Sequence, residues 1–103
     1  MNEETKQKIE NIINSDKVVI FMKWTKSEPV CGFTVNIIWI MNMAWIEFTD
    51  VNIFDDEEIA EWIKEYNNWP TYPQIHINWE FVWWFDIVAE MFETWELQEL
   101  VNK

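Results

Sequence analysis

Lys17-Val-Val-Ile-Phe-Met-Lys-Trp-Thr-Lys-Ser-Glu-Pro-Val-Cys-Gly-Phe-Thr34 holds the chain's single cysteine between an apolar run and a stretch with helical spacing. Residues 17 to 22 read as a buried strand and residues 32 to 43 as a helix, with Pro29 in the loop between them. Cys31 then lies just past the C-terminal end of a strand and at the first turn of a helix. Reactive groups of α/β sheets gather at that edge. Unpaired backbone N–H groups and the positive end of the helix dipole there favour thiolate over thiol. A thiolate is a nucleophile or a metal ligand. One cysteine cannot close a disulfide within its own chain, so sulfur chemistry here needs a partner thiol, a metal or a second copy.

The flanking sequence supplies the rest of one layered domain over residues 1–103. Ile9, Ile12 and Ile13 recur at helical spacing within residues 3 to 14. After the second helix, alternation over Ile46-Glu-Phe-Thr-Asp-Val51 predicts a strand, and Asp55-Asp-Glu-Glu58 opens a third helix reaching Tyr66. Pro70 and Pro73 precede Gln74–Asn78 and Glu80–Trp83, two short strands close enough for a hairpin, and the C-terminus reads as helical with a further short helix at the end. The expected fold is α/β, a central four-stranded mixed sheet flanked by helices on both faces. The Ile37, Ile38, Ile40 stripe, with Met41 and Met43, reads as core. His76 alternates with Ile75 and Ile77 and reads as an exposed sheet residue; it makes no Cys–His signature with Cys31.

Seven lysines, no arginine and 19 acids give a formal charge of −12, which argues against nucleic acid. The acid-rich helices read as solvated faces. Apolar runs such as 18–22 and 37–41 fall far short of the roughly 20 residues a membrane span needs. Met-Asn-Glu-Glu-Thr-Lys lacks the build of a secretory signal, so cytoplasm, or an organelle matrix after processing, is the expected compartment.

Met-Lys-Trp-Thr at 22–25, Cys-Gly-Phe-Thr at 31–34, Asn-Trp-Pro-Thr-Tyr-Pro at 68–73 and Asn-Trp-Glu-Phe-Val-Trp-Trp-Phe-Asp-Ile at 78–87 together resemble the monothiol glutaredoxins. The resemblance runs from about residue 5 to 101 and implies the thioredoxin fold. Thr34 departs by one methyl from the family's Cys-Gly-Phe-Ser. By this resemblance Cys31 is the thiolate that ligates iron, or the catalytic thiol. Lys23 and Lys64 match lysines that hold the glycyl carboxylate of glutathione. Tyr72, before an expected cis Pro73, matches the residue whose backbone pairs with the cysteinyl part. Phe85 and Asp86 match the pair that receives the γ-glutamyl end. Where the family usually has arginine this chain has Ala60, which implies weaker carboxylate binding. Lys26 reads equally as an anion-steering cation and as a solvated lysine.

A [2Fe–2S] cluster usually takes four thiolates. Two chains supply two, so the resemblance implies that two glutathione sulfurs complete the set in a cluster-bridged homodimer. It also implies cluster transfer to apo iron–sulfur proteins and pairing with a BolA-like protein. The alternatives are a weak glutathione-dependent thiol–disulfide oxidoreductase, in which Cys31 attacks a mixed disulfide, and an inert domain whose groove is blocked by Trp83 and Trp84.

The chain has nine tryptophans and one glycine. Trp24, Trp45, Trp62, Trp79, Trp83, Trp84 and Trp95 all stand where the resembling family has glycine, whereas Trp39 and Trp69 do not. Two explanations cover the set. One is a genome that reads UGA as glycine, translated with a table that reads UGA as tryptophan; the other is deliberate replacement of the glycines. Asn78-Trp79 stands at a hairpin turn whose second residue wants positive φ.

Overall fold

The computed structural model describes residues 2–23, 32–82 and 85–102. Its elements run α1 (Glu3–Ile13), β1 (Val18–Met22), α2 (Gly32–Met43), β2 (Thr49–Asn52), a single 3-10 turn (Ile53–Asp55), α3 (Glu57–Tyr66), β3 (Gln74–Ile77), β4 (Glu80–Val82), α4 (Phe85–Glu93) and α5 (Glu96–Val101). The four strands form one sheet in the order β2-β1-β3-β4. β1 pairs in parallel with β2 and antiparallel with β3, and β3 pairs antiparallel with β4. The mixed sheet expected from the sequence is therefore present.

β1 is an unbroken apolar run because both of its faces are covered. Val18, Ile20 and Met22 pack with Ile37, Ile40, Met41, Val88 and Leu97, the layer formed by α2, α4 and α5. Val19 and Phe21 point the other way, onto Ile9 and Ile13 of α1 and Ile59 and Ile63 of α3. Period-two alternation along the strand thus feeds two cores. The helices behind it start on side-chain caps. Asn2 accepts a hydrogen bond from the Thr5 N–H at 2.7 Å, and Asp56 accepts from the N–H groups of Glu58 and Ile59. Lys8 pairs with Asp56, and that hydrogen bond, followed by the backbone donors, holds the Asp56 carboxyl below its usual pKa.

Two sequence expectations shift. β2 begins at Thr49 rather than Ile46, because its ladder starts where Val19 meets Thr49. Ile46 and Phe48 are buried, which explains the alternation, but they lead into the strand without belonging to it. Met43 is exposed rather than core, being on the last turn of α2 and pointing away from Ile40 and Met41. Among the described residues no helix is long and apolar enough to cross a membrane.

Candidate functional site

The topology collects one edge of the sheet into a site. β1 ends at Met22, β3 starts at Gln74 opposite Phe21, and β4 ends at Val82 opposite Ile75. The C-terminal end of β1, the N-terminal end of β3 and the C-terminal end of β4 therefore lie together. α4 starts at Phe85, three positions after β4 ends, and so opens at the same edge. α2 joins β1 to its parallel neighbour β2, so its N-terminus also lies there and its C-terminus lies at the far edge.

Lys23 follows β1 directly and is exposed. Lys64, exposed on the last turn of α3, places its ammonium 5.4 Å from the centroid of the Tyr72 ring. Tyr72 is half-buried and precedes a cis peptide bond to Pro73, as the resemblance implies. Its hydroxyl donates to the Ala60 carbonyl at 2.5 Å, and burial pushes its pKa up to about 12. Ala60 itself packs half-buried against the Val19 and Phe21 core and brings no cation to the edge. Replacing Tyr72 with Phe removes one buried hydrogen bond. The expected cost is about 1 kcal/mol of stability, read as a lower urea midpoint at unchanged slope.

Asp86 is exposed in the first turn of α4. Thr34 is buried in the first turn of α2, and its hydroxyl has no hydrogen-bond partner among the described residues. That leaves a donor free three positions from Cys31. Cys31, Trp24, Lys26, Trp83 and Trp84 lie outside the described residues, as does the side chain of Phe85. The described residues alone contain no group of His, Cys, Asp and Glu side chains suited to a metal ion. The structure thus brings Lys64 to Tyr72 by contact, and places Lys23 and Asp86 at the same edge by topology.

Behind this edge runs a polar chain that the sequence reading missed. The Gln74 amide donates to the carbonyls of Trp69 and Thr71 at 3.0 and 3.1 Å. Carbonyls only accept, so Gln74 must turn its oxygen toward Asn67, whose amide donates to it at 2.7 Å. Asn67 then offers its own oxygen to His76, 3.1 Å from Nε2. His76 therefore carries a proton on Nε2, its buried Nδ1 has no partner among the described residues, and burial favours the neutral ring. Gln74 is fully buried, and its bonds fix the segment carrying Tyr72.

His76 overturns the expectation that it faces solvent. It is 2% exposed, edge-on to Phe21 and tilted against Phe81, and burial lowers its pKa to about 4. Alternation misleads at this position because β3 is an inner strand with helices over both faces. A polar pair, Gln74 and His76, on such a strand is itself the signal of a buried network.

A sequence-family profile described as Glutaredoxin matches residues 18–82. An uncharacterized monothiol glutaredoxin ycf64-like protein from Synechocystis is 46% identical over 99% of this chain and 95% of its own length. The chloroplastic monothiol glutaredoxin-S14 of Arabidopsis thaliana is 45% identical over 97% of this chain, which spans 58% of that relative. The solution structure of reduced apo GrxS14 from poplar superposes with a TM-score of 0.80 at 40% identity, covering 94% of this chain and 89% of that one. A profile match over more than half the chain, a relative matched over nearly its whole length and a close superposition agree: this chain belongs to the monothiol glutaredoxin family and has its thioredoxin fold.

Proposed function

We propose that the protein binds glutathione at the sheet edge and, as a homodimer, carries a [2Fe–2S] cluster as cargo for delivery to apo iron–sulfur proteins. The observation that carries this reading is the convergence of Lys23, Lys64, the Tyr72–Pro73 turn and the α2 N-terminus at one edge. In a chain of net charge −12, two exposed lysines at that edge give an anionic tripeptide a local cationic landing point. Lys23 and Lys64 take its glycyl carboxylate, the Tyr72 backbone pairs with its cysteinyl unit, and Phe85 and Asp86 at the start of α4 meet its γ-glutamyl end. Cys31 supplies one thiolate per chain to the cluster.

Lys64→Gln is expected to weaken glutathione binding about 2- to 5-fold, the scale of an exposed ion pair, with the effect shrinking at high salt. Calorimetric titration at two salt concentrations reads it. With position 60 an alanine, the cation set is incomplete, so affinity should be modest. Pairing with a BolA-like protein belongs to the same reading, in a cytoplasmic or organelle-matrix setting.

The experiment is anaerobic incubation with iron, sulfide and glutathione, read by visible absorbance and size exclusion, on the chain as written and with glycine at the seven positions named above. A coloured dimer that forms only with glutathione supports the carrier. Failure of both forms to take up iron, with glutathione still exchanging onto Cys31, contradicts it in favour of thiol–disulfide exchange.

A further inference from the structure

Five described residues other than glycine have positive φ: Trp45 at 59°, Asn68 at 52°, Asn78 at 50°, Trp79 at 70° and Trp95 at 67°. Asparagine tolerates the left-handed region, while a bulky side chain there is an outlier. Each tryptophan occupies a slot that backbone geometry reserves for glycine.

Trp45 is the residue just past the cap of α2. Its N–H donates to the Asn42 carbonyl at 3.2 Å and the Ile46 N–H donates to the Met41 carbonyl at 2.9 Å, the paired bonds of a Schellman turn. Ile46 and Met41 are both buried, supplying the apolar contact that accompanies this motif. The end of α3 repeats the pattern. There the Asn68 N–H donates to Glu65 at 3.1 Å and the Trp69 N–H to Lys64 at 2.9 Å, with asparagine in the left-handed position. Trp95 stands at the equivalent place after α4, its N–H 3.3 Å from the Phe92 carbonyl. Asn78 and Trp79 are the two central residues of the β3–β4 hairpin, closed by the Ile77–Glu80 pair. Both have positive φ, which defines a type I′ turn and favours Asn-Gly.

Packing does not offset the strain. Trp45 is 94% exposed, Trp79 61% and Trp95 69%, so these indoles lie largely in solvent. The other described tryptophans behave differently. Trp39 and Trp62 lie within helices, and Trp69 has no positive φ. The chain's one glycine, Gly32, has no positive φ either. So among the described residues the left-handed positions hold asparagine or tryptophan, and not the residue they favour most.

We infer that the working protein carries glycine at positions 45, 79 and 95, encoded by UGA codons that its host reads as glycine. Three separate strained turns then have one origin. The same reading covers Trp24, Trp62, Trp83 and Trp84 by family resemblance, and leaves Trp39 and Trp69 as true tryptophans. It stands on backbone geometry and does not depend on the proposed function.

The test is to read the codons of the gene and to sequence, by mass spectrometry, peptides of the protein isolated from its own host. UGA at 45, 79 and 95 with glycine in the peptides is the expected result. A UGG codon at these positions, or tryptophan in the host's peptides, overturns the inference. The geometric premise has its own check in Trp45→Gly against Trp45→Ala, two variants that lose the same indole. Glycine should give an unfolding constant about 2- to 10-fold smaller than alanine, the left-handed penalty less the freedom glycine gains when unfolded. Equal constants would remove the premise.

Discussion

Cys31→Ser is expected to abolish both iron uptake and thiol exchange while leaving the urea midpoint unchanged. The chain has no second sulfur nucleophile to take over, since Cys31 is its only cysteine. Serine keeps the size and loses the chemistry, because an alcohol at neutral pH is neither a thiolate ligand nor a leaving group for disulfide exchange. Both the proposed carrier and its thiol-exchange alternative use that sulfur, so the expected loss is total rather than graded. Serine also keeps the fold's packing volume, and among the described residues the two cores are drawn from β1, β3, the helices and the segments flanking β2. Visible absorbance after reconstitution and release of glutathione from a mixed disulfide measure the two activities. Retained cluster absorbance in the variant refutes the assignment.

Acid destabilises the native state through His76 before most carboxylates titrate. The ordinary imidazole pKa is about 6.5 in an unfolded chain, whereas burial holds it at about 4 in the folded one. Between these values the unfolded state binds a proton that the native state refuses. Stability is therefore full above pH 6.5 and falls as pH drops toward 4, by about 2 kcal/mol between pH 7 and pH 5. The cause is geometric. Nε2 already donates to Asn67, and a second proton on Nδ1 would be a buried charge with no acceptor, flanked by Phe21 and Phe81. The chain has one histidine, so a single imidazole resonance reports the titration without ambiguity. A folded-state midpoint near 4, and loss of the pH 7 to 5 slope in His76→Gln, are the expected results. A midpoint near 6.5 contradicts the buried network.

These two residues mark what the sequence made legible and what it hid. The apolar run at Val18–Met22 and the helix over 32–43 were readable because burial on both faces and helical spacing leave strong patterns. Cys31 stood out because a lone thiol between a strand and a helix has few structural reasons to be there. Lys64 and Tyr72 carried no pattern of their own and came from family resemblance; the structure puts them in contact across α3 and the turn before β3. His76 was hidden because alternation along a strand indicates solvent only when one face is open. The start of β2 was hidden for a related reason. Ile46 and Phe48 are buried by packing under α2, while strand pairing waits for Thr49. The tryptophan pattern was visible as composition, but composition alone does not distinguish a strange surface from a misplaced residue. Backbone φ at Trp45, Trp79 and Trp95 makes that distinction.

The proposed carrier is an assembly of two chains with glutathione, and native mass spectrometry of the anaerobically reconstituted, glycine-restored chain tests it, because the mass counts every partner at once. A species of two chains, two glutathiones and one [2Fe–2S] unit, absent when glutathione is omitted, is the predicted result, matching the four thiolates such a cluster takes. A single chain bearing one disulfide-linked glutathione and no iron would contradict the carrier and leave thiol exchange as the protein's chemistry.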